Sequence, residues 1–238
     1  MKKLHIITPV KDSIETTLRT IDSIISSDTS TEFSYIIYND FSTDDATEKL
    51  KDASLRQNFT LVNLKDLTTH PSPNYLMVLQ LAQKKAIAED AHLMIIESDV
   101  IVNKDTIQRM YDDIDLLDNA GIIAAVTTDV NGEINFPYLY AKKFNSSVID
   151  TRKRLSFCCT LLTNSFLNKY SFENLNPEKM WFDIFISHKS VELGFKNYLL
   201  TSLPVLHLPH SSRPWKLLKY SNPLKYYWRK ITKGLDRI

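Results

Sequence analysis

His92-Leu93-Met94-Ile95-Ile96-Glu97-Ser98-Asp99-Val100 decides how this chain is read, because an apolar run stops there in two carboxylates spaced one residue apart. Four consecutive apolar residues are too few for a helix and read as a buried parallel strand reaching the edge of its sheet. Side chains alternate along a strand, so Glu97 and Asp99 are expected to point the same way at its carboxyl end. Open α/β sheets bind their ligands at that edge. Two oxygen ligands, with room left for water and phosphate, suit Mg2+ or Mn2+ better than zinc. Taken alone, the pair also fits an ordinary helix cap.

Upstream, Leu4-His5-Ile6-Ile7-Thr8 reads as a first strand closed by Pro9. Asp12 and Glu15 have capping-box spacing ahead of a helix carrying Ile14, Leu18, Ile21 and Ile25. Tyr35-Ile36-Ile37-Tyr38 ends in Asn39-Asp40, and Ser42-Thr43-Asp44 opens the next helix. Leu61 to Leu64 is a possible third strand, and a long helix from about Asn74 to Glu89 leads into the strand that ends at Glu97. Downstream, Asp105 to Leu117 reads as an amphipathic helix stopped by Gly121, followed by a strand from Ile122 to Val126 and a turn at Asn131-Gly132. Residues 133–154 have poor periodicity and many aromatics, as expected of a segment shaping a cleft. Phe157 to Leu162 reads as a strand, Asn164 to Lys169 as a short helix, and a further helix ends at Gly194. Tyr198-Leu199-Leu200 and Val205-Leu206-His207-Leu208 read as two closing strands. Alternation of this kind predicts an α/β, Rossmann-like fold: a mostly parallel central sheet with helices on both faces.

The 238 residues are 43% hydrophobic, enough for one sizeable core, and 29 basic against 28 acidic residues imply no nucleic-acid partner. The charge is unevenly spread. From Trp215 onward seven basic residues face one acid, which leaves residues 1–214 at −5. Leu224, Tyr227, Trp228 and Ile231 recur at helical spacing among Lys225, Arg229, Lys230 and Lys233, describing a basic amphipathic helix. Such a tail is expected either to lie on an anionic membrane or to dock as a terminal helix or dimer contact. No apolar run approaches the ~18 residues of a membrane span, and no signal peptide is legible. Cys158 and Cys159 are adjacent, point to opposite faces of a strand, and read as reduced core residues of a cytoplasmic protein.

Taken together, these landmarks resemble a family 2 glycosyltransferase of the GT-A fold, over about residues 3–210. Ile6-Ile7-Thr8-Pro9-Val10 looks like the family's opening strand and proline turn, and Ser23-Ile24-Ile25 like the end of its first helix. Asn39-Asp40-Phe41-Ser42-Thr43-Asp44 stands where the family has an acidic pair followed by Gly-Ser-Thr-Asp, and Glu97-Ser98-Asp99 fills the place of its metal-binding DxD motif. Phe157 to Leu162, Phe172-Glu173, Trp181-Phe182-Asp183 and Leu193-Gly194-Phe195-Lys196 follow its acceptor-side pattern. Departures are Phe41 for glycine, Glu97 for the first aspartate and Phe182 for an acid. The arginine-asparagine pair usual before the metal strand has no counterpart among Leu79 to Lys85.

The resemblance implies a GT-A domain over 1–212, with a nucleotide-sugar half (1–100) and an acceptor half (101–212), and a basic tail over 213–238. It implies inverting transfer from a nucleotide-sugar, UDP foremost, to a glycan or lipid-linked acceptor in surface-polysaccharide assembly, assisted by Mn2+ or Mg2+. Asp183 becomes the base and Asp99 the metal ligand. Glu97 ligates directly or through water, and His207 is either a further ligand or a satisfied core histidine, with His210 as the fallback. Asp40 is expected to accept from the nucleotide base, with Thr8 and Pro9 lining the same pocket and Ser98 and Glu97 beside the donor. Asp44 reads first as a helix cap; Lys11 and Asp12 line the cleft without a sharp role. A non-catalytic nucleotide- or glycan-binding module is the competing reading. A sugar-phosphate nucleotidyltransferase would need a glycine-rich phosphate loop, and Thr8-Pro9-Val10-Lys11-Asp12 has no glycine.

Overall fold

The structure is a computed structural model describing residues 2–151, 154–208 and 222–232, with 229–231 described by backbone alone. Its strands are β1 (Lys3–Val10), β2 (Phe33–Asn39), β3 (Thr60–Asn63), β4 (Ala91–Ile96), β5 (Val100–Ile101), β6 (Ala120–Thr128), β7 (Val148–Asp150), β8 (Cys159–Leu162) and β9 (Lys196–His207). They form one sheet in the order β3-β2-β1-β4-β8-β6-β9-β5, with β7 against β9. The first four strands are mutually parallel. β8 enters antiparallel between β4 and β6, and β9 then runs parallel to β6. The helices are α1 (Ile14–Ile25), α2 (Asp44–Arg56), α3 (Tyr75–Ala88), α4 (Thr106–Leu116), α5 (Asn164–Leu167), α6 (Phe182–Glu192) and α7 (Pro223–Thr232).

Strand alternation divides the core into two layers. Leu4, Ile6, Met94, Ile96, Ile123 and Ala125 pack with Ile21 and Ile24 of α1, Leu50 of α2 and Met110 of α4. Ile7, Leu93, Ile95, Ile122 and Ala124 pack on the other face with Leu79 of α3, Phe166 of α5 and Ile186 of α6. α3 precedes β4 and α6 precedes β9, so both helices begin at the edge where β4 and β9 end. The rings of Tyr75 and Phe182, in the first turns of α3 and α6, lie 6.4 Å apart.

Several local expectations are corrected. β1 continues through Pro9 to Val10, because β4 pairs only as far as Ile7 and a missing N–H beyond that point breaks no bond to it. The Asp12–Glu15 capping box does not form: Asp12 and Ser13 take positive φ angles, and the Asp12 carboxylate accepts from Thr43 N at 2.8 Å instead. The two closing strands are one, β9, in which Thr201–Leu203 bulge out between the pairings Ala125↔Leu200 and Val126↔Pro204.

Gly121 lies within β6 and does not stop α4, which ends at Leu116. A Cβ there would stand 2.4 Å from Ser190 Oγ and 2.7 Å from Phe195 Cβ, so glycine is what lets α6 and the start of β9 close onto the sheet. Gly121→Ala should therefore cost about 1–3 kcal/mol through overpacking, read as a lowered urea midpoint. An unchanged midpoint would show that this contact has slack.

The tail helix is present as α7. Leu224, Tyr227 and Trp228 are exposed, Leu224 to 85%. Among the described residues no helix is long and apolar enough to cross a membrane.

Candidate active site

β4 stops at Ile96, and Glu97-Ser98-Asp99 forms a turn; the expected strand alternation therefore does not set their directions. Pinning from both sides does. Glu97 N donates to Cys158 O at 2.9 Å, Val100 N closes the turn onto Glu97 O at 3.1 Å, and Leu208 N donates to Asp99 O at 2.8 Å. β5 then pairs Val100 with His207, so the last residue of β9 is set beside the turn.

His207 Nε2 lies 3.7 Å from Asp99 Oδ2. Ligand atoms of Glu97, Cys158 and His207 all lie within 4.8 Å of one another. That span is about twice an ordinary ~2.0–2.4 Å metal–ligand bond, so one ion can reach all three. The imidazole is oriented for this. His207 Nδ1 faces Phe136 O at 3.0 Å, and since a carbonyl can only accept, Nδ1 carries the proton and Nε2 presents its lone pair to the acids. The donor chemistry fits a divalent ion, with Glu97 and His207 in the cluster and Asp99 at its side. Cys158 was not among the expected ligands. His210 lies outside the described residues.

Asp183 sits in the first turn of α6, partly buried. Burial raises its pKa to about 6; the Arg154 guanidinium opposes the rise, and the charge of Glu97 adds to it. The carboxyl therefore lies near enough to Glu97 to feel its charge. Tyr138 lies near both Cys158 and Asp183. Its wholly buried hydroxyl donates to Ser156 O and accepts from Ser156 N, both at 3.0 Å, and it feels the charges of Cys158 and Asp183.

Asp40 does not cap α2; Thr43 does, accepting from Ala46 N. Both oxygens of Asp40 reach across to the entry of α3, accepting from Ser72 Oγ, Asn74 N and Asn74 Nδ2, each at 2.8 Å. The side chain thus fixes the 72–74 loop over the end of β2. Phe41, standing where glycine was expected, takes a φ of 57°, and its carbonyl accepts from the Lys11 ammonium. Thr8 is fully buried with its hydroxyl on Tyr35 OH at 2.9 Å, so its side chain lines no pocket; Pro9 is half-exposed. Ser98 is buried in the turn, and Asp44 is exposed in the first turn of α2.

Three participants escaped sequence reasoning: Cys158, Arg154 and Tyr138. For Cys158 a usable signal existed, since the alternation that separates it from Cys159 must send one of them toward the end of β4. Arg154 and Tyr138 lie in a stretch without periodicity, and no pattern marks them.

The family model described as Glycosyl transferase family 2 matches residues 5–175. The chain belongs to glycosyl transferase family 2. The sheet order and two-sided helical cover are those of its GT-A fold. Solved structures agree on the fold. The fragment 1–349 of S. aureus TarS in complex with UDP-GlcNAc is 17% identical with a TM-score of 0.69, matched over 89% of this chain and 60% of its own. The mannosyltransferase PcManGT from Pyrobaculum calidifontis, in complex with GDP-Man and Mn2+, is 12% identical with a TM-score of 0.64, over 97% of this chain and 64% of its own. GalNAc-T7 with UDP, GalNAc and Mn2+ is 11% identical with a TM-score of 0.64, over 89% and 45%. The chain thus spans less than two thirds of the length of each. Curated proteins yielded no match.

Proposed function

We propose that this family 2 member is an inverting, metal-dependent hexosyltransferase. It moves a sugar from a nucleotide-diphospho-sugar, UDP-linked in the first instance, to a hydroxyl of a glycan or lipid-linked acceptor in surface-polysaccharide assembly. One observation supports the reading: Asp183, whose pKa burial raises to about 6, feels the charge of Glu97, which groups with Cys158 and His207 as possible metal ligands. The donors and Mn2+ in the related structures support a nucleotide-sugar beside a divalent ion.

In this reading Asp183 accepts the acceptor hydroxyl's proton as that oxygen bonds to the anomeric carbon, while the bond from that carbon to the diphosphate oxygen breaks on the opposite side. The bonding pair leaves with the nucleoside diphosphate. No sugar is bound covalently to the protein, so configuration inverts. Arg154 holds Asp183 ionised against the pull of burial, and a base of pKa about 6 is matched to neutral pH. Glu97, Asp99 and His207 would hold the ion, which supplies charge stabilisation to the departing diphosphate. Asp40 sets the donor wall through Ser72 and Asn74, with Pro9 and Ser98 beside the donor; a base edge meeting Asp40 shares a carboxylate that already has three donors.

Thermal unfolding with a panel of UDP- and GDP-sugars, with and without Mn2+, tests the reading. A donor of one nucleotide class should raise the melting temperature only when the ion is present. No shift with any donor would falsify the transferase reading. The non-catalytic alternative, favoured by the substitutions at Phe41 and Glu97, predicts the shift without turnover.

The tail belongs to the same proposal. Exposed Leu224, Tyr227 and Trp228 beside Lys225 suit the surface of an anionic membrane, placing a cytoplasmic enzyme at the inner face near a lipid-linked acceptor. The chain should co-sediment with vesicles rich in anionic lipid, and Leu224→Glu combined with Trp228→Glu should abolish that. Equal sedimentation by the double variant would leave the helix to another role.

A further inference from the structure

The two adjacent cysteines have very different surroundings. Cys159, the first residue of β8, buries its sulfur 3.7 Å from Met110 Sδ in the apolar core. Cys158, in the same buried layer, has polar neighbours: its Sγ lies 3.4 Å from Glu97 Oε2 and 3.3 Å from Ser156 Oγ. It is also within 4.8 Å of the ligand atom of His207.

We propose that Cys158 is a ligand of the divalent ion at this site, and that its sulfur gives the site a preference for thiophilic ions, Zn2+ and Co2+, over Mn2+ and Mg2+. The inference deepens the functional reading above and rests on it only for the presence of an ion between Glu97 and His207. A carboxylate and an imidazole alone accommodate any first-row divalent ion. Adding a thiolate produces the mixed sulfur, nitrogen and oxygen set characteristic of zinc with positions left open. Binding forms the metal–sulfur bond and releases the thiol proton to solvent. Geometry supports the ligand role, because the sulfur already contacts the Glu97 carboxylate and lies within 4.8 Å of the His207 ligand atom, whereas its neighbour's sulfur contacts only Met110 among the described polar and sulfur atoms.

The test is Co2+ titration of the metal-free full chain, followed by optical absorption. The wild type and Cys159→Ser should both develop sulfur-to-cobalt charge-transfer absorption in the near ultraviolet. Cys158→Ser and Cys158→Ala, checked for native folding by circular dichroism, should not. Competition between Zn2+ and Mn2+ adds a second readout: the zinc preference should shrink at least about a hundredfold in Cys158→Ser, the upper end of what losing a mere supporting group costs. Cobalt bound without the sulfur band, a band that survives in folded Cys158→Ser, or no cobalt binding each overturns the proposal. Nucleotide-sugar binding is measured separately in Mn2+. A sulfur band without donor binding sinks the transferase reading alone, and donor binding with a sulfur-free cobalt site sinks this inference alone.

Discussion

Asp183→Asn should lower kcat for sugar transfer by about two to four orders of magnitude, the usual contribution of a positioned base, while leaving the affinity for the nucleotide-sugar nearly unchanged. The same substitution should make the protein more stable at neutral pH. The carboxyl's pKa is raised to about 6 by burial, above its ordinary value in an unfolded chain. The native state therefore holds the proton more tightly than the unfolded state, and stability falls as pH rises through the window from about 4 to 6. Above that window the wild type carries a partly buried charge; the amide never does. The melting temperature of Asp183→Asn should exceed that of the wild type at pH 7.5, and the gap should close toward pH 4. In the wild type, kcat/KM should rise with pH through about 6 as the base deprotonates. A variant whose kcat stays within about tenfold of wild type, or one less stable at pH 7.5 than at pH 4 relative to wild type, would remove Asp183 from this role.

His207→Ala should have the next largest effect, on the ion and on everything that depends on it. The imidazole is buried, its tautomer is set by Phe136 O, and its Nε2 faces the carboxylates of the 97–99 turn. Loss of a merely supporting group around a metal costs about 10–100-fold in affinity, so loss of a ligand should cost at least as much. Calorimetric titration with Mn2+ should show this, and the ion-dependent melting shift with donor should weaken in parallel. His207→Gln keeps an acceptor of similar reach and should fall between the two. If Mn2+ binds the alanine variant as tightly as the wild type, the histidine is the satisfied core residue that an apolar strand more commonly holds.

Much of this arrangement was legible in the sequence, and for physical reasons. An apolar run such as Leu93 to Ile96, hydrophobic on both faces and too short for a helix, suits a strand covered on both sides, so the α/β class and most of the strands follow from pattern. Asp40, Glu97 and Asp183 follow too, since each ends or opens an element and elements of this class present such ends at one edge. What pattern could not supply were contacts between elements. Asp12 spends its carboxylate on Thr43 instead of its own helix, and Thr8 spends its hydroxyl on Tyr35, both through partners more than twenty residues away. Gly121 looked like a helix stop because the crowding from Ser190 and Phe195 that demands it arises only when α6 packs. Arg154 acts on Asp183 from a segment with no periodicity to read.

The reversed direction of β8 has a consequence for how this edge of the sheet is furnished. In a sheet of uniform polarity, one rim is supplied only by residues on their way out of strands. Here Cys159 is paired with Ile96, so the residue arriving at β8 stands next to the residue departing from β4. Arrivals and departures thus share a rim, and the antiparallel pairing brings Cys158 beside Glu97 without any long loop.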